Sequence, residues 1–122
     1  MIMKCLDTYA LVEICNGNPA FSHLLNETVV ITDITMAEFY ADLYKKYGLK
    51  TADYWHRKLS ILCRPIARET LLNAVRFRID HYKQNLSFFD CVGYIFAREN
   101  NMLFVTGDKE FKLKEGIQFM QK

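Results

Sequence analysis

The chain has 122 residues, of which 51% are hydrophobic, and a formal net charge of +2 at pH 7. This length suits one domain with a substantial core, and the five glycines and two prolines are too few for a disordered or collagen-like chain. The nearly balanced charge excludes a polybasic, histone-like nucleic-acid binder. We therefore expect one globular domain over residues 1–122.

The four cysteines and three histidines are scattered along the chain. No pair has the close spacing of a zinc site or a redox motif, so free thiols in a reducing compartment are expected. Lys4 and Asp7 interrupt the apolar N-terminus, which argues against a signal peptide. No apolar run approaches the roughly 20 residues of a membrane span. These features predict a soluble cytoplasmic protein with no membrane segment.

Short apolar runs alternate with amphipathic stretches in the first half of the chain. Residues 1–6 predict a first strand, and apolar residues at helical spacing then predict a helix over 9–15. An Asn-Gly-Asn-Pro sequence stops this helix and permits a short one that ends near residue 25. The β-branched residues 28–32 predict a second strand, and residues 35–47 predict a longer helix. Its apolar face is expected to contain Ala37, Tyr40, Ala41 and Tyr44, with Phe39 and Leu43 beside them.

The middle of the chain predicts two further helices, over residues 51–63 and 67–83. The extended residues 64–66 between them contain a proline, which suits a minor edge strand. Candidate core residues of the first helix are Tyr54, Trp55, Leu59 and Leu62. The expected buried stripe of the second helix consists of Leu71, Leu72, Val75, Ile79 and Tyr82.

The closing third, from Ser87 to Phe111, predicts a helix, a tight turn at Asn100-Asn101, a buried strand over 102–105 and a loop that carries Asp108. Residues 117–120 predict a last strand. Because strands alternate with helices throughout, we expect an α/β fold with a central parallel sheet and helices on both faces.

Four acids stand out by their placement in these elements. Asp7 and Asp108 each follow a strand, whereas Glu38 and Asp90 each lie in the first turn of a predicted helix. In a parallel sheet, all four can gather at the carboxyl edge, where open α/β sheets bind ligands. A cluster of carboxylates repels itself unless a divalent cation is bound, and all-oxygen ligation suits Mg²⁺ or Mn²⁺.

Helix capping is an equally good interpretation of two of these acids. Thr35-x-x-Glu38 and Ser87-x-x-Asp90 both match a capping box, in which the hydroxyl caps the helix and the acid reaches back. Thr-Gly-Asp at residues 106–108 is also ordinary turn chemistry. Composition and spacing alone therefore leave metal binding and capping both open.

Four sequence blocks, in this order, resemble those of the PIN-domain family. They are Asp7-Thr8-Tyr9-Ala10-Leu11 after the first strand, Ile34-Thr35-Met36-Ala37-Glu38, the helix from Asp90 to Ala97, and Leu103-Phe104-Val105-Thr106-Gly107-Asp108-Lys109-Glu110-Phe111. The order, the spacing and the chain length all agree with that family. The small single-domain form is similar to the VapC toxins of toxin–antitoxin pairs.

The resemblance implies a PIN-like three-layer fold and an endoribonuclease that uses Mg²⁺ or Mn²⁺ to hydrolyse RNA phosphodiester bonds. It implies an acidic catalytic and metal-binding site made of Asp7, Glu38, Asp90 and Asp108. Thr106 matches a frequent Ser or Thr two places before the last acid, and Thr8 matches one that follows the first acid. The resemblance also implies a homodimer and a cognate antitoxin that blocks the site.

Other functions remain compatible with the sequence. A non-cleaving PIN-like module that binds RNA or protein would keep the fold, and a PIN nuclease of RNA processing or a DNA nuclease would keep the site. A response-regulator receiver is also small, α/β and Mg²⁺-binding, but it needs an acidic pair after its first strand, where this chain has Asp7 alone.

Aromatic and basic residues of the middle region could assist RNA binding, but a structural role is favoured for both. Tyrosines at helical spacing are more often core or dimer interface than base-stacking platforms; here they are Tyr40, Tyr44, Tyr47 and Tyr54. Lysines and arginines on a nearly neutral protein are more often ordinary helix surface than a phosphate-binding rim.

Overall fold

The computed structural model describes residues 2–122, so Met1 of the first predicted strand lies outside the described residues. The strands are β1 (Lys4–Leu6), β2 (Val29–Thr32), β3 (Cys63–Arg64), β4 (Leu103–Thr106) and β5 (Ile117–Phe119). They form one sheet in the order β3-β2-β1-β4-β5, and every neighbouring pair is parallel. The carboxyl ends of all five strands therefore lie at the same edge of the sheet.

Helices connect the strands. They are α1 (Thr8–Cys15), α2 (Pro19–Ser22), α3 (Asp33–Tyr47), α4 (Leu49–Leu59), α5 (Arg68–Asp80) and α6 (Phe88–Glu99). Short 3₁₀ turns cover His23–Asn26, Ser60–Leu62 and Lys109–Phe111. Within residues 2–122, none of the helices combines the length and apolar content needed to cross a bilayer.

The core has two parts because neighbouring residues of a strand point to opposite faces of the sheet. Leu6, Ile31 and Val105 face one hydrophobic cluster, which also contains side chains of α1, α3 and α4. Cys5, Val30 and Phe104, one position earlier in each strand, face a second cluster formed with α5 and α6. The predicted three-layer α/β fold, with helices on both faces of a parallel sheet, is confirmed.

Helix α3 begins two residues earlier than predicted, which changes the assignment of its cap. Thr32 is the N-cap, and its hydroxyl accepts a hydrogen bond from the backbone N–H of Thr35 at 3.0 Å. The capping box of Thr35 and Glu38 is therefore wrong, and Glu38 lies in the second turn instead of the first. Ser87 does cap α6, because its hydroxyl accepts from the N–H of Asp90 at 3.1 Å.

The predicted apolar face of α3 is wrong in part. Its buried residues are Thr35, Met36, Phe39 and Leu43, whereas Ala37, Ala41 and Tyr44 are exposed and Tyr40 is half-buried. The helix turns its larger side chains, Phe39 and Leu43, toward the core cluster that it shares with α1. Packing Phe39 removes more apolar surface from water than packing two alanines, so the bulkier stripe faces inward.

The predicted buried stripe of α5 is wrong for four of its five residues. The exposed fractions of Leu72, Val75, Ile79 and Tyr82 are 47%, 40%, 64% and 74%. The helix instead buries Thr70 and Ala74, and only Leu71 of the predicted stripe packs partly against the core. Phe77 also packs against this core, whereas the other three apolar side chains of the helix lie on its outer side. The helix also ends at Asp80, before Tyr82.

We predict that Gly93→Ala in α6 destabilises the protein by about 1–3 kcal/mol, because the core has no room for the added methyl group. A Cβ at Gly93 would lie 2.7 Å from Cε1 of Phe104. The Phe104 ring is fully buried and packs edge-on against Tyr94 and Phe111, so it cannot easily move. The same change at an exposed helical position would stabilise by roughly 1 kcal/mol. Urea unfolding measures the difference.

A second substitution tests the cause. Phe104→Leu shortens the side chain that Gly93→Ala would strike, so the double variant should lose less stability than the two single losses combined, by about 0.5 kcal/mol or more. Simple additivity of the two losses would show that the contact with Phe104 is not responsible.

Candidate active site

Two of the predicted acids lie at the ends of adjacent strands. Asp7 follows β1 and is the N-cap of α1, where its Oδ1 accepts from the N–H of Ala10 at 2.8 Å. Asp108 follows β4 and caps the next 3₁₀ turn, where its Oδ1 accepts from the N–H of Glu110 at 3.0 Å. Because β1 and β4 are parallel neighbours, with Leu6 opposite Val105, these two carboxylates emerge side by side.

Helices supply the other two acids. Glu38 projects from the second turn of α3, and the hydroxyl of Thr8 donates a short hydrogen bond to its Oε1. Asp90 projects from the first turn of α6, immediately after the Ser87 cap. Thr8 therefore links the start of α1 to α3 and fixes the direction of the Glu38 side chain.

All four acids border one open cavity of about 550 Å³ at the carboxyl edge of the sheet. The cavity is lined by Asp7, Thr8, Tyr9, Glu38, Asn85, Ser87, Asp90, Gly107, Asp108, Lys109, Glu110 and Gln121. The structure thus brings together every acid that the sequence singled out, from four separate elements. Their assignment as catalytic and metal-binding residues stays a prediction.

Burial and mutual repulsion raise the pKa values of two of these carboxyl groups to near neutral pH. The pKa of Asp7 is raised to about 7, chiefly by burial; hydrogen bonds from Thr106 and Ala10 lower it, and repulsion from Asp108 and Glu38 raises it. Asp90 is partly buried, and its pKa rises to about 8 through desolvation and then through repulsion from Asp7, Glu38 and Asp108. Without a counterion, the site therefore resists carrying its full negative charge.

Thr106 connects the first and last acids of the site. Its side chain has no exposed surface. Its hydroxyl is hydrogen-bonded to the Asp7 carboxyl group and accepts from the N–H of Asp108 at 3.1 Å. Thr106 and Thr8 therefore both hold carboxylates in place, and their roles toward a ligand stay a prediction.

The side chains around the cavity fit a hard divalent cation. The atoms that the acids offer to a metal are all oxygens. Among the described residues that line the cavity, Lys109 is the one lysine or arginine. Within residues 2–122, no group of three or more acid, histidine or cysteine side chains is arranged closely enough to hold an ion as it stands. Mg²⁺ is usually bound by one or two carboxylates and keeps several waters, so it does not require such a close group.

Four lining residues were missed in the sequence analysis. Glu110 belongs to the last matching block and adds a fifth acid, and its position two residues after Asp108 was a usable signal. Tyr9 likewise lies two residues after Asp7. Asn85 and Gln121 come from a loop and from the C-terminal segment, and no local pattern marks either of them.

The tyrosines and basic residues weighed from the sequence do not line this cavity. Tyr40 donates a hydrogen bond to Asp53 at 2.7 Å and stacks on Tyr44. Tyr44, Tyr47 and Tyr54 are exposed on α3 and α4. They lie away from the acids, but the core placement expected for Tyr44 and Tyr54 is wrong, and a role in a dimer interface stays a prediction.

The family model for the PIN domain matches residues 4–116 of this chain. The chain belongs to the PIN-domain family. This match includes all four acids and the strands β1 to β4, and it ends just before β5. None of the curated protein sequences matches the chain.

Solved structures with this PIN fold include toxins and their complexes. VapC20 of Mycobacterium tuberculosis, described as a sarcin-ricin loop cleaving toxin, is 16% identical with a TM-score of 0.80, over 97% of this chain and 99% of that one. VapBC2 of Rickettsia felis, bound to a promoter DNA fragment, is 20% identical with a TM-score of 0.78, over 98% and 100%. A toxin–antitoxin complex from Klebsiella pneumoniae is 20% identical with a TM-score of 0.77, over 94% and 95%. At these identities the likeness establishes a shared VapC-like fold.

We predict that this PIN domain, free of metal, loses stability as the pH rises from about 4 to about 8. Asp90 keeps its proton up to a pKa of about 8 in the folded chain, against an ordinary value of 3.8. The folded state therefore binds more protons than the unfolded state between these values. The stabilisation is complete below the lower value and is lost as the pH passes the higher one. Urea unfolding in EDTA at about pH 5, 7 and 9 measures it.

Asp90→Asn provides the matched comparison. The amide is similar in shape and does not ionise, so the variant should be more stable than the wild type at alkaline pH and should show a shallower decline. Equal slopes in both proteins would mean that Asp90 does not hold its proton in the folded state.

Proposed function

We propose that the chain, as one PIN-like domain over residues 1–122, is a metal-dependent endoribonuclease that hydrolyses RNA phosphodiester bonds. The observation that carries this proposal is that one cavity is lined by four acids, Asp7, Glu38, Asp90 and Asp108. Burial and repulsion raise the pKa values of Asp7 and Asp90 to near neutral pH. Such a site gains most from a divalent cation, because the cation removes the repulsion that the fold has imposed.

Mg²⁺ or Mn²⁺ would be held by the four carboxylates, some of them through water. A cation bound there supplies positive charge for the phosphate and lowers the pKa of a nearby water molecule. Protein side chains orient the carboxylates, accept the proton and contact the RNA. Thr8 and Thr106 keep Glu38 and Asp7 directed at the cavity, and a site carboxylate accepts the proton of the attacking water. Lys109 is placed to contact an RNA phosphate.

The test is cleavage of a labelled single-stranded RNA by the purified chain with Mn²⁺ or Mg²⁺ and with EDTA. We expect cutting with either metal and none with EDTA. Asp7→Asn and Asp90→Asn should each reduce cutting to the EDTA level, because each removes a carboxylate from the cavity while leaving an amide of the same shape. Circular dichroism and thermal unfolding establish whether the variants remain folded.

Asp42→Asn is the control. Asp42 lies one turn beyond Glu38 on α3, is exposed and does not line the cavity, so this variant should cut like the wild type. Full activity of folded Asp7→Asn or Asp90→Asn would reject the site. No cutting of any RNA with either metal would favour a non-cleaving binding module.

We further propose that the nuclease is the toxin of a toxin–antitoxin pair and acts in the cytoplasm. The fold supports this, because the Rickettsia felis and Klebsiella pneumoniae structures are toxin–antitoxin assemblies. The four unpaired thiols are consistent with a reducing compartment. A neighbouring gene for a small DNA-binding protein would identify the antitoxin, whereas its absence would favour a nuclease of RNA processing.

We also propose that the protein forms a homodimer through the outward apolar side chains of α5. Leu72, Val75 and Ile79 are spaced by three and four residues, the spacing with which two helices pair. In an antiparallel pair with its two-fold axis near Phe77, Val75 meets the second copy's Ile79. In the same register, Arg76 and the second copy's Asp80 are offset by only about 3 Å, measured along the helix axes. The register that pairs apolar residues therefore also pairs opposite charges.

Ile79→Lys should convert the dimer into a monomer, because it places a lysine from each subunit in the apolar contact. Light scattering after size-exclusion chromatography measures the mass. Ile61→Lys is the matched control, since Ile61 is 81% exposed but lies outside α5. A wild-type chain that is monomeric, or a dimer that Ile79→Lys leaves intact, would reject this interface.

A further inference from the structure

Tyr9 is the one aromatic side chain that lines the acidic cavity among the described residues. It lies two residues after Asp7, in the first turn of α1, and it is neither fully buried nor freely exposed. The remaining lining residues are acids, amides, hydroxyl residues, a lysine and a glycine. Tyr9 therefore provides an aromatic surface directly beside the carboxylates.

The Tyr9 ring is held in a fixed position. Its hydroxyl accepts a hydrogen bond from the backbone N–H of Lys122 at 3.0 Å. The ring lies so close to Gly107 that a Cβ there would overlap three of its carbons. The Phe21 ring packs against it at a centroid distance of 6.1 Å. Little conformational entropy is then lost when a flat ligand contacts this ring, which favours binding.

The C-terminal segment contributes to this arrangement from the other side of the loop. The Gln121 side-chain amide donates to the carbonyl of Gly107 at 3.0 Å and also lines the cavity. The N–H of Met120 donates to the carbonyl of Thr106 at 2.9 Å. The loop that carries Asp108 is therefore fixed to the segment that positions Tyr9, and the ring and the acids keep a constant separation.

Electrostatics limits how RNA can be bound at this cavity. Five acids and one lysine line it, so a phosphate gains little from the protein side chains themselves. A base contact that does not depend on charge can then add affinity beyond what Lys109 and the proposed cation supply. Stacking of a base on an aromatic ring supplies such a contact, for any base, and only an unpaired base presents its face.

We propose that Tyr9 is the stacking platform for an unpaired base next to the phosphate that is cut. This rests on the proposed nuclease function. The base stacks on the accessible surface of the ring, and the adjoining phosphate reaches the four carboxylates. Duplex RNA cannot make the contact, because its bases are stacked on one another.

The experiment compares the wild type with Tyr9→Leu and Tyr9→Phe. Binding of a labelled single-stranded RNA, followed by fluorescence anisotropy in Ca²⁺, should weaken about 5- to 150-fold in Tyr9→Leu. Tyr9→Phe keeps the ring and loses only the contact with Lys122, so its affinity should stay near that of the wild type. Affinity for a duplex of the same sequence should be weak and equal in all three proteins.

Two measurements keep the outcomes separate. Calorimetric titration with Mn²⁺ should give the same affinity for all three proteins, which shows that the carboxylates are undisturbed. Cleavage of the same RNA in Mn²⁺ tests the nuclease itself, so absence of cutting by the wild type rejects the nuclease while the binding data still decide the role of Tyr9. Unchanged single-strand affinity in Tyr9→Leu, an equal loss in Tyr9→Phe, or tight duplex binding by the wild type would overturn the proposal.

Discussion

The repulsion among carboxylates at the carboxyl edge of the sheet is the constraint on which the site depends. Parallel pairing of β1 and β4 forces Asp7 and Asp108 to emerge side by side. The first turn of α6 and the second turn of α3 bring Asp90 and Glu38 to the same cavity. Asp7 has almost no exposed surface, so water cannot screen its charge. The fold thus accepts an arrangement that costs stability whenever these groups ionise, and a cation would remove that cost.

Two buried or half-buried hydroxyls keep this arrangement in place. Thr106 joins Asp7 to the loop of Asp108, and Thr8 joins the first turn of α1 to Glu38. The carboxylates that they contact are distant in sequence, so the fold brings each hydroxyl to its partner. The Thr106 hydrogen bond also lowers the pKa of Asp7 and so partly offsets the effect of desolvation. Both threonines therefore orient a carboxylate, and Thr106 also changes the pKa of the one it contacts.

The sequence was sufficient for the sheet, for the helices and for the set of acids, because each depends on local pattern and on the direction of parallel strands. It was insufficient where a side chain's surroundings come from distant parts of the chain. Gln121 reaches the cavity only because β5 pairs with β4. The start of α3 was misplaced because Thr32 and Thr35 are both good caps, and the end of β2 decides between them.

Helix α5 shows most clearly why burial could not be predicted from periodicity. An apolar stripe indicates that a helix has a face to be covered, but it does not identify what covers that face. Thr70 and Ala74 let α5 approach α6 closely, and this leaves Leu72, Val75 and Ile79 on the outside. A continuous row of exposed apolar side chains is energetically unfavourable in water, which favours contact with another surface. The discrepancy between pattern and structure therefore supports the proposed interface on α5, because these three apolar side chains are not covered by the rest of residues 2–122.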